Sequence, residues 1–209
     1  MRAKAVSQRR SQDKRDRILE ALDALLRLKP FAEISVVELA EKATVSPATI
    51  YQRFRNIDAT ASVLLELYFT KVEEWAKRPR QTNSKSDARL FDALVAIASN
   101  AFDQVAELGH IMRPAYLYSR HRPDRVGPEW SRLERLALEG FKAFLIERSA
   151  EIRIDDIDGA AAHLCYLFNF MLLGPLLHGE DADWKVLRNR NEFANSVATI
   201  AYRYLVFAD

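Results

Sequence analysis

Apolar residues recur along most of this chain at spacings of three and four, the period of helices with one buried face, and strand-like alternation persists nowhere. Ile18, Leu19, Leu22, Leu25 and Leu26 form a first stripe, opened at Asp13 or Asp16 and ended by Lys29-Pro30. Val36, Leu39, Ala40 and Ala43 form a second, short one. Ser35 stands ahead of it as N-cap with Glu38 three residues on, the spacing of a capping box. A third helix opens at a second N-cap, Ser46, with Pro47 in its first turn, and turns Val45, Ile50 and Phe54 inward. Helix four is expected from near Asn56 or Asp58 to about Trp75, with Leu64, Leu65, Tyr68, Val72 and Trp75 as its stripe. The cluster from Lys77 to Ser84 breaks the pattern and reads as a loop.

Leu90, Leu94, Ile97, Ala101, Val105 and Leu108 predict a helix from about Asp87, stopped at Gly109. A shorter helix over Ile111–Tyr118 contains Pro114, and Ser119–Pro128 reads as a loop. Another helix spans about Glu129–Arg148, with Leu133, Leu136, Phe141, Phe144 and Leu145 inward. Two long helices close the chain. Ile157–His178 is apolar nearly all round, so it should be covered on most sides. Trp184–Phe207 carries one stripe of Phe193, Val197, Ile200, Tyr204 and Phe207 beside a second of Ala194, Ala198, Ala201 and Leu205. The expected fold is all-α, with about nine helices. An N-terminal three-helix domain, residues 1–55, precedes a helical bundle, residues 56–209, and a helix over about 56–76 links them.

Two short helices joined by a tight turn, the second with polar and basic residues outward, make a helix-turn-helix whose second helix would enter a DNA major groove. The outward residue types suit that task. Ala48 permits close approach. The hydroxyls of Ser46 and Thr49, with the N–H groups of the first turn, can hold phosphate. Gln52 and Arg53 can reach base edges, and Tyr51 offers a phenol to a phosphate and a ring to a thymine methyl. The full candidate DNA-binding set is Ser35, Thr44, Ser46, Pro47, Ala48, Thr49, Tyr51, Gln52, Arg53 and Arg55. The alternative reading of the same residues is a helical hairpin with a solvated basic face.

The segment Phe31–Asp58 resembles the DNA-binding domain of the TetR family of transcriptional regulators. Ile34-Ser35-Val36, Leu39-Ala40-Glu41-Lys42-Ala43 and Val45–Phe54, with its Ser-x-x-Thr-Ile-Tyr-x-x-Phe core, carry the likeness. The resemblance implies a divergent all-helical ligand-binding domain and a homodimer for the remainder. Three positions depart from the family pattern. Thr44 stands where the turn usually has Gly, Lys29-Pro30 replaces a Gly after helix one, and Ile57 replaces a Lys that commonly contacts phosphate. Losing one phosphate contact would lower the salt slope of binding by about one unit.

Charge agrees with this organisation. Residues 1–55 hold 12 Lys+Arg against 7 Asp+Glu, leaving +5; the remainder holds 19 against 22, leaving −3, for the net +2. A basic head on a slightly acidic body suits a nucleic-acid module joined to something else. Residues 1–12, with Arg2, Lys4, Arg9 and Arg10, read as a solvated tail or as an arm reaching for phosphates or the minor groove. Cys165 is the one cysteine and the N-terminus carries no apolar signal, so a cytoplasmic location is expected. Gly159–Gly179 is the long uncharged run, but His163, Asn169 and Pro175 make a buried helix the better reading than a membrane span.

No catalytic constellation emerges, no metal or other cofactor is implied, and the chain does not read as an enzyme. His110, His121, His163 and His178 lack ligand partners at helical spacing. Cys165 in an apolar helix is expected to be packing, and Ser119, His121 and Asp124 a charged loop. A ligand pocket is the more plausible second site. Its candidates are Phe102, Met112, Tyr116, Phe141, Phe144, His163, Tyr166, Phe168, Asn169 and Met171, which suggest an apolar or aromatic effector. The broad apolar face of the last helix needs a partner surface, so Phe193, Val197, Ile200 and Tyr204 are candidates for a dimer interface built from four helices. The favoured function is a ligand-responsive repressor binding a near-palindromic operator as a dimer. The competing one is a helical small-molecule-binding or interaction protein with a weakened DNA-binding head.

Overall fold

The computed structural model describes residues 2–54, 58–78, 89–178 and 189–207. Among these residues the regular structure is helical: α1 (Arg2–Leu26), α2 (Val36–Lys42), α3 (Pro47–Phe54), α4 (Ala59–Lys77), α5 (Leu90–His121), α6 (Gly127–Glu147), α7 (Ile157–His178) and α8 (Arg190–Val206). Short 3-10 turns lie at Phe31–Glu33, Pro123–Arg125 and Ser149–Glu151. The all-α expectation therefore holds. The chain forms two compact units, the first Met1–Lys77 with His110–Val126, the second Arg78–Gly109 with Gly127–Asp209.

The first unit is built on α1. Its predicted stripe, Ile18, Leu19, Leu22, Leu25 and Leu26, is buried against Leu39 and Ala40 of α2, Ile50 and Phe54 of α3, and Val63, Leu64 and Leu67 of α4. Ile111 and Ala115 of α5 complete this core. Polar clips fasten its edges. Arg15 pairs with Glu66 and donates to Thr70 Oγ1 at 3.3 Å, joining α1 to α4. His110 Nε2 lies 2.6 Å from Asp23 Oδ1.

The second unit buries Leu90, Leu94 and Ala98 of α5, Leu145 of α6, Ala160, Ala161, Leu164 and Phe168 of α7, and one face of α8. Side chains satisfy the N–H groups that helix starts leave unpaired. Leu90 N donates to Glu151 Oε2 at 2.8 Å, Gly159 N to Asp156 Oδ1 at 2.9 Å, and Asn191 N and Glu192 N to Asn189 Oδ1 at 2.9 and 3.2 Å. A Cβ at Gly159 would stand 2.3 Å from Asp156 Oδ2, so any larger residue there would have to displace the capping carboxylate.

Five expectations need correction. Residues 2–12 continue α1 rather than forming an irregular tail, since no Gly or Pro interrupts the stretch and Ala, Arg, Gln and Lys are good helix formers. The helix expected to stop at Gly109 and the shorter one after it are a single α5 with Pro114 inside. Leu108, Ile111 and Ala115 are buried along it, so packing outweighs two local stop signals. Leu136 of α6 points outward, 56% exposed. α7, expected to be covered on most sides, has only 22% of its most apolar window buried. Finally, Phe193 and Val197 of α8 are not surface residues. The two stripes merge into one wide inner face of Phe193, Ala194, Val197, Ala198, Ala201 and Leu205, with Ile200 and Tyr204 at its rim. The loop at 79–84 and the helix starts expected at Asp87 and Trp184 lie outside the described residues.

Candidate nucleic-acid interface

Each part of the helix-turn-helix has a local cause. Glu38 N donates to Ser35 Oγ at 3.1 Å, so Ser35 caps α2 as its position predicts. The reciprocal half of the capping box is replaced: Lys29 Nζ, 2.6 Å from Glu38 Oε2 and 3.0 Å from Glu33 O, ties the end of α1 to the start of α2. α2 ends in a left-handed turn. Thr44 has φ 55°, and Val45 N reaches back to Ala40 O at 3.0 Å, the six-to-one bond of a Schellman motif. This is where Gly is usual, and a β-branched residue there is strained.

α3 then starts at Pro47. Thr49 N donates to Ser46 Oγ at 3.3 Å, and the two hydroxyls lie 2.9 Å apart. Ile50 and Phe54 are buried, and Val45 packs partly against the same core. With those anchors set, the 3.6-residue period turns the rest of the helix outward. Ser46, Pro47, Ala48, Tyr51 and Gln52 are exposed, Thr49 and Arg53 half-exposed, and Ser35 and Thr44 exposed at the flanks. Arg55 and Ile57 lie outside the described residues. Just beyond, Asp58 O accepts from Ser62 N at 3.1 Å at the opening of α4. The Asp58 carboxylate also accepts from the hydroxyl of Tyr118 on α5. Burial first, and then that hydrogen bond, holds the Tyr118 hydroxyl above its ordinary pKa.

Ser11 was not foreseen. Arg53 Nη1 donates to its backbone oxygen and to its Oγ, each at 3.0 Å. A contact across 42 positions of sequence leaves no spacing signal.

The pocket candidates are spread. Met112 and Tyr116 belong to the first unit, where Arg120 lies over the Tyr116 ring at 5.0 Å. The other eight are in the second unit. Phe141 and Phe168 meet at 5.1 Å, and Phe102 meets Phe193 at 5.4 Å. Phe144 lies under Arg148 at 4.9 Å, and Met171 packs against the same core. His163, Tyr166 and Asn169 are exposed, not enclosed in the core of the second unit. His163 Nδ1 instead bonds Gly159 O at 2.8 Å and lies 3.1 Å from the Tyr204 hydroxyl. Burial pushes the Cys165 thiol pKa up, which disfavours the reactive thiolate. Ser119 donates to Tyr116 O at 2.7 Å, while Asp124 pairs with Arg122 and Arg125.

Residues 18–60 match the family model of bacterial regulatory proteins, tetR family. No curated protein matches the chain by sequence. Solved structures match along nearly its whole length. A Rhodococcus protein assigned to the TetR family of transcriptional regulators is 16% identical with a TM-score of 0.64, over 90% of this chain and 98% of that one. NalD of Pseudomonas aeruginosa, the secondary repressor of the MexAB-OprM multidrug efflux pump, is 16% identical with a TM-score of 0.59, over 94% and 98%. A TetR transcriptional regulator from Rhodococcus sp. RHA1 is 15% identical with a TM-score of 0.57, over 93% and 95%. Residues 18–60 are thus a TetR-family helix-turn-helix domain, set in a chain that has the fold of TetR-family transcriptional regulators.

Proposed function

We propose that the protein is a cytoplasmic, non-enzymatic repressor that binds a near-palindromic DNA operator as a homodimer and releases it on binding a small molecule. The observation that carries this reading is α3 itself: Ile50 and Phe54 are buried while Ala48, Tyr51 and Gln52 face solvent. Two such helices, one per subunit, would enter successive major grooves. NalD is a repressor, and the likeness of fold supports the same sign of regulation here.

The proposed dimer surface shifts to α7 and the rim of α8. Tyr166 and Phe170 are 64% and 56% exposed with their ring centroids 4.3 Å apart, and Ile200 is 48% exposed. The contact of His163 with Tyr204 makes the two helices one continuous face. Pairing with a second copy would bury it, in an interface of about 2,000 Å² or more. By length and composition α7 could also cross a membrane, but a helix that is apolar all round and packed on one side suits a subunit interface as well. The effector, an apolar or aromatic compound, is proposed to bind near Phe102, Phe141, Phe144, Phe168 and Met171. It would act by preferring a spacing of the reading heads that does not fit the operator. α4, and α5 around Pro114, would carry the change. Strain at Thr44 costs stability but leaves the outward face of α3 intact, so it does not favour a weakened head.

Fluorescence anisotropy of the full chain against its own upstream DNA and against random duplex, at moderate salt, tests the proposal. Preference for the upstream duplex is expected. Equal binding to both would overturn it.

A further inference from the structure

We infer that Ser11, on the N-terminal extension of α1, is a positioning residue that aims Arg53 of α3 at a guanine and so sets sequence choice. This rests on the reading of α3 as the DNA-reading helix. Arg53 is long and half-exposed, and its rotamers must be narrowed before it can pair with one base. Ser11 supplies that restraint through two acceptors, its carbonyl oxygen and its Oγ, both 3.0 Å from Nη1. Which nitrogen is held decides what remains. Nη1 lies on the side of the guanidinium that faces back along the side chain, whereas Nε and Nη2 share the opposite edge. That edge makes no hydrogen bond among the described residues. It is the fork whose two parallel N–H groups match O6 and N7 of guanine in the major groove. Ser11 therefore occupies the nitrogen that base reading does not need.

Sequence and fold account for the contact. The stretch from residue 2, rich in Ala, Arg, Gln and Lys and without Gly or Pro, carries α1 past the N-terminal edge of its buried stripe, which begins at Ile18. A tail without helical structure would place no fixed acceptor beside Arg53. The exposed Ser11 bears no charge, so it adds direction and not phosphate attraction.

A duplex selected from a randomised library by the full-length protein is the probe, with random duplex as reference. Ser11→Ala removes one acceptor and keeps the helix, since Ala is a better helix former. Its affinity for the selected duplex should fall about three- to tenfold, with random-duplex affinity and the salt slope unchanged. Ser11→Thr, which keeps the hydroxyl, should restore most of the loss. With Arg53→Ala in place, Ser11→Ala should change nothing further. Replacing the guanines of the selected site in turn should reveal one whose effect vanishes in Arg53→Ala and shrinks in Ser11→Ala. The inference is overturned by an unchanged affinity in Ser11→Ala, by an equal loss on random duplex, or by a loss that persists without Arg53. If the unaltered protein selects no duplex, the reading of α3 fails and takes the inference with it. Selection that persists while Ser11→Ala is silent sinks the inference alone.

Discussion

α3 and α7 are opposite kinds of helix. α3 has eight residues and a clear division between apolar and polar positions; α7 has 22 and is apolar nearly all round. In α3 the division dictates orientation, because rotating the helix would expose Ile50 and Phe54 and bury Gln52 and Arg53 without partners. In α7 polarity constrains rotation only weakly, through Asp158, His163 and Asn169 on the exposed side, so packing largely chooses. It places Ala160, Ala161, Leu164 and Phe168 inside and leaves Tyr166 and Phe170 outside. An amphipathic helix announces its surface in advance. A uniformly apolar one shows it only after folding, and the side it leaves bare then marks where a partner would sit.

Inner and outer aromatics of the second unit separate these roles most strongly. Phe193→Ala, at a fully buried position against Phe102, should cost about 3–5 kcal/mol in denaturant unfolding. Phe170→Glu, at an exposed position, should leave the helical circular dichroism unchanged and convert dimers to monomers in sedimentation. The contrast breaks if Phe170→Glu unfolds the chain, or if it sediments like the unaltered protein.

On α3 the sharpest pairing is between Arg53 and the basic residues near the N-terminus. Arg53→Ala should weaken binding to the selected operator by about 1–3 kcal/mol, on the order of ten- to a hundredfold. Random duplex should be affected far less. Arg9→Ala and Arg10→Ala should lower the salt slope by at most about one unit each and leave sequence preference alone. Equal losses of preference from Arg53→Ala and Arg9→Ala would erase the distinction between reading and attraction.

What could be read beforehand was what depends on near neighbours. Ser35 and Ser46 cap as their positions imply, and Ile50 and Phe54, four apart, anchor α3. Where distant packing decides, local signals misled. Gly109 and Pro114 look like punctuation, yet Leu108, Ile111 and Ala115 are buried along one continuous helix. The wide stripe on α8 was legible as apolar, but nothing local says whether a subunit's own core or a second copy covers it. Capture of Arg53 by Ser11 had no local trace at all.

The smallest expected effect concerns the turn that sets α3 in place. Thr44 at φ 55° bears the cost of a Cβ in the left-handed region, about 1–2 kcal/mol. Glycine removes that cost but brings a more flexible unfolded chain, which returns about 0.5–1 kcal/mol. Thr44→Gly should therefore stabilise the first unit by roughly 0.5–1 kcal/mol, a rise of a few degrees in Tm by calorimetry. Operator affinity should not change, because the buried anchors that orient α3 are untouched. A Tm that falls instead would mean that Thr44, exposed as it is, contributes more through its side chain than its backbone costs. A changed affinity would mean that the turn helps to set the angle of α3, joining the conformation of one residue to the reading of DNA.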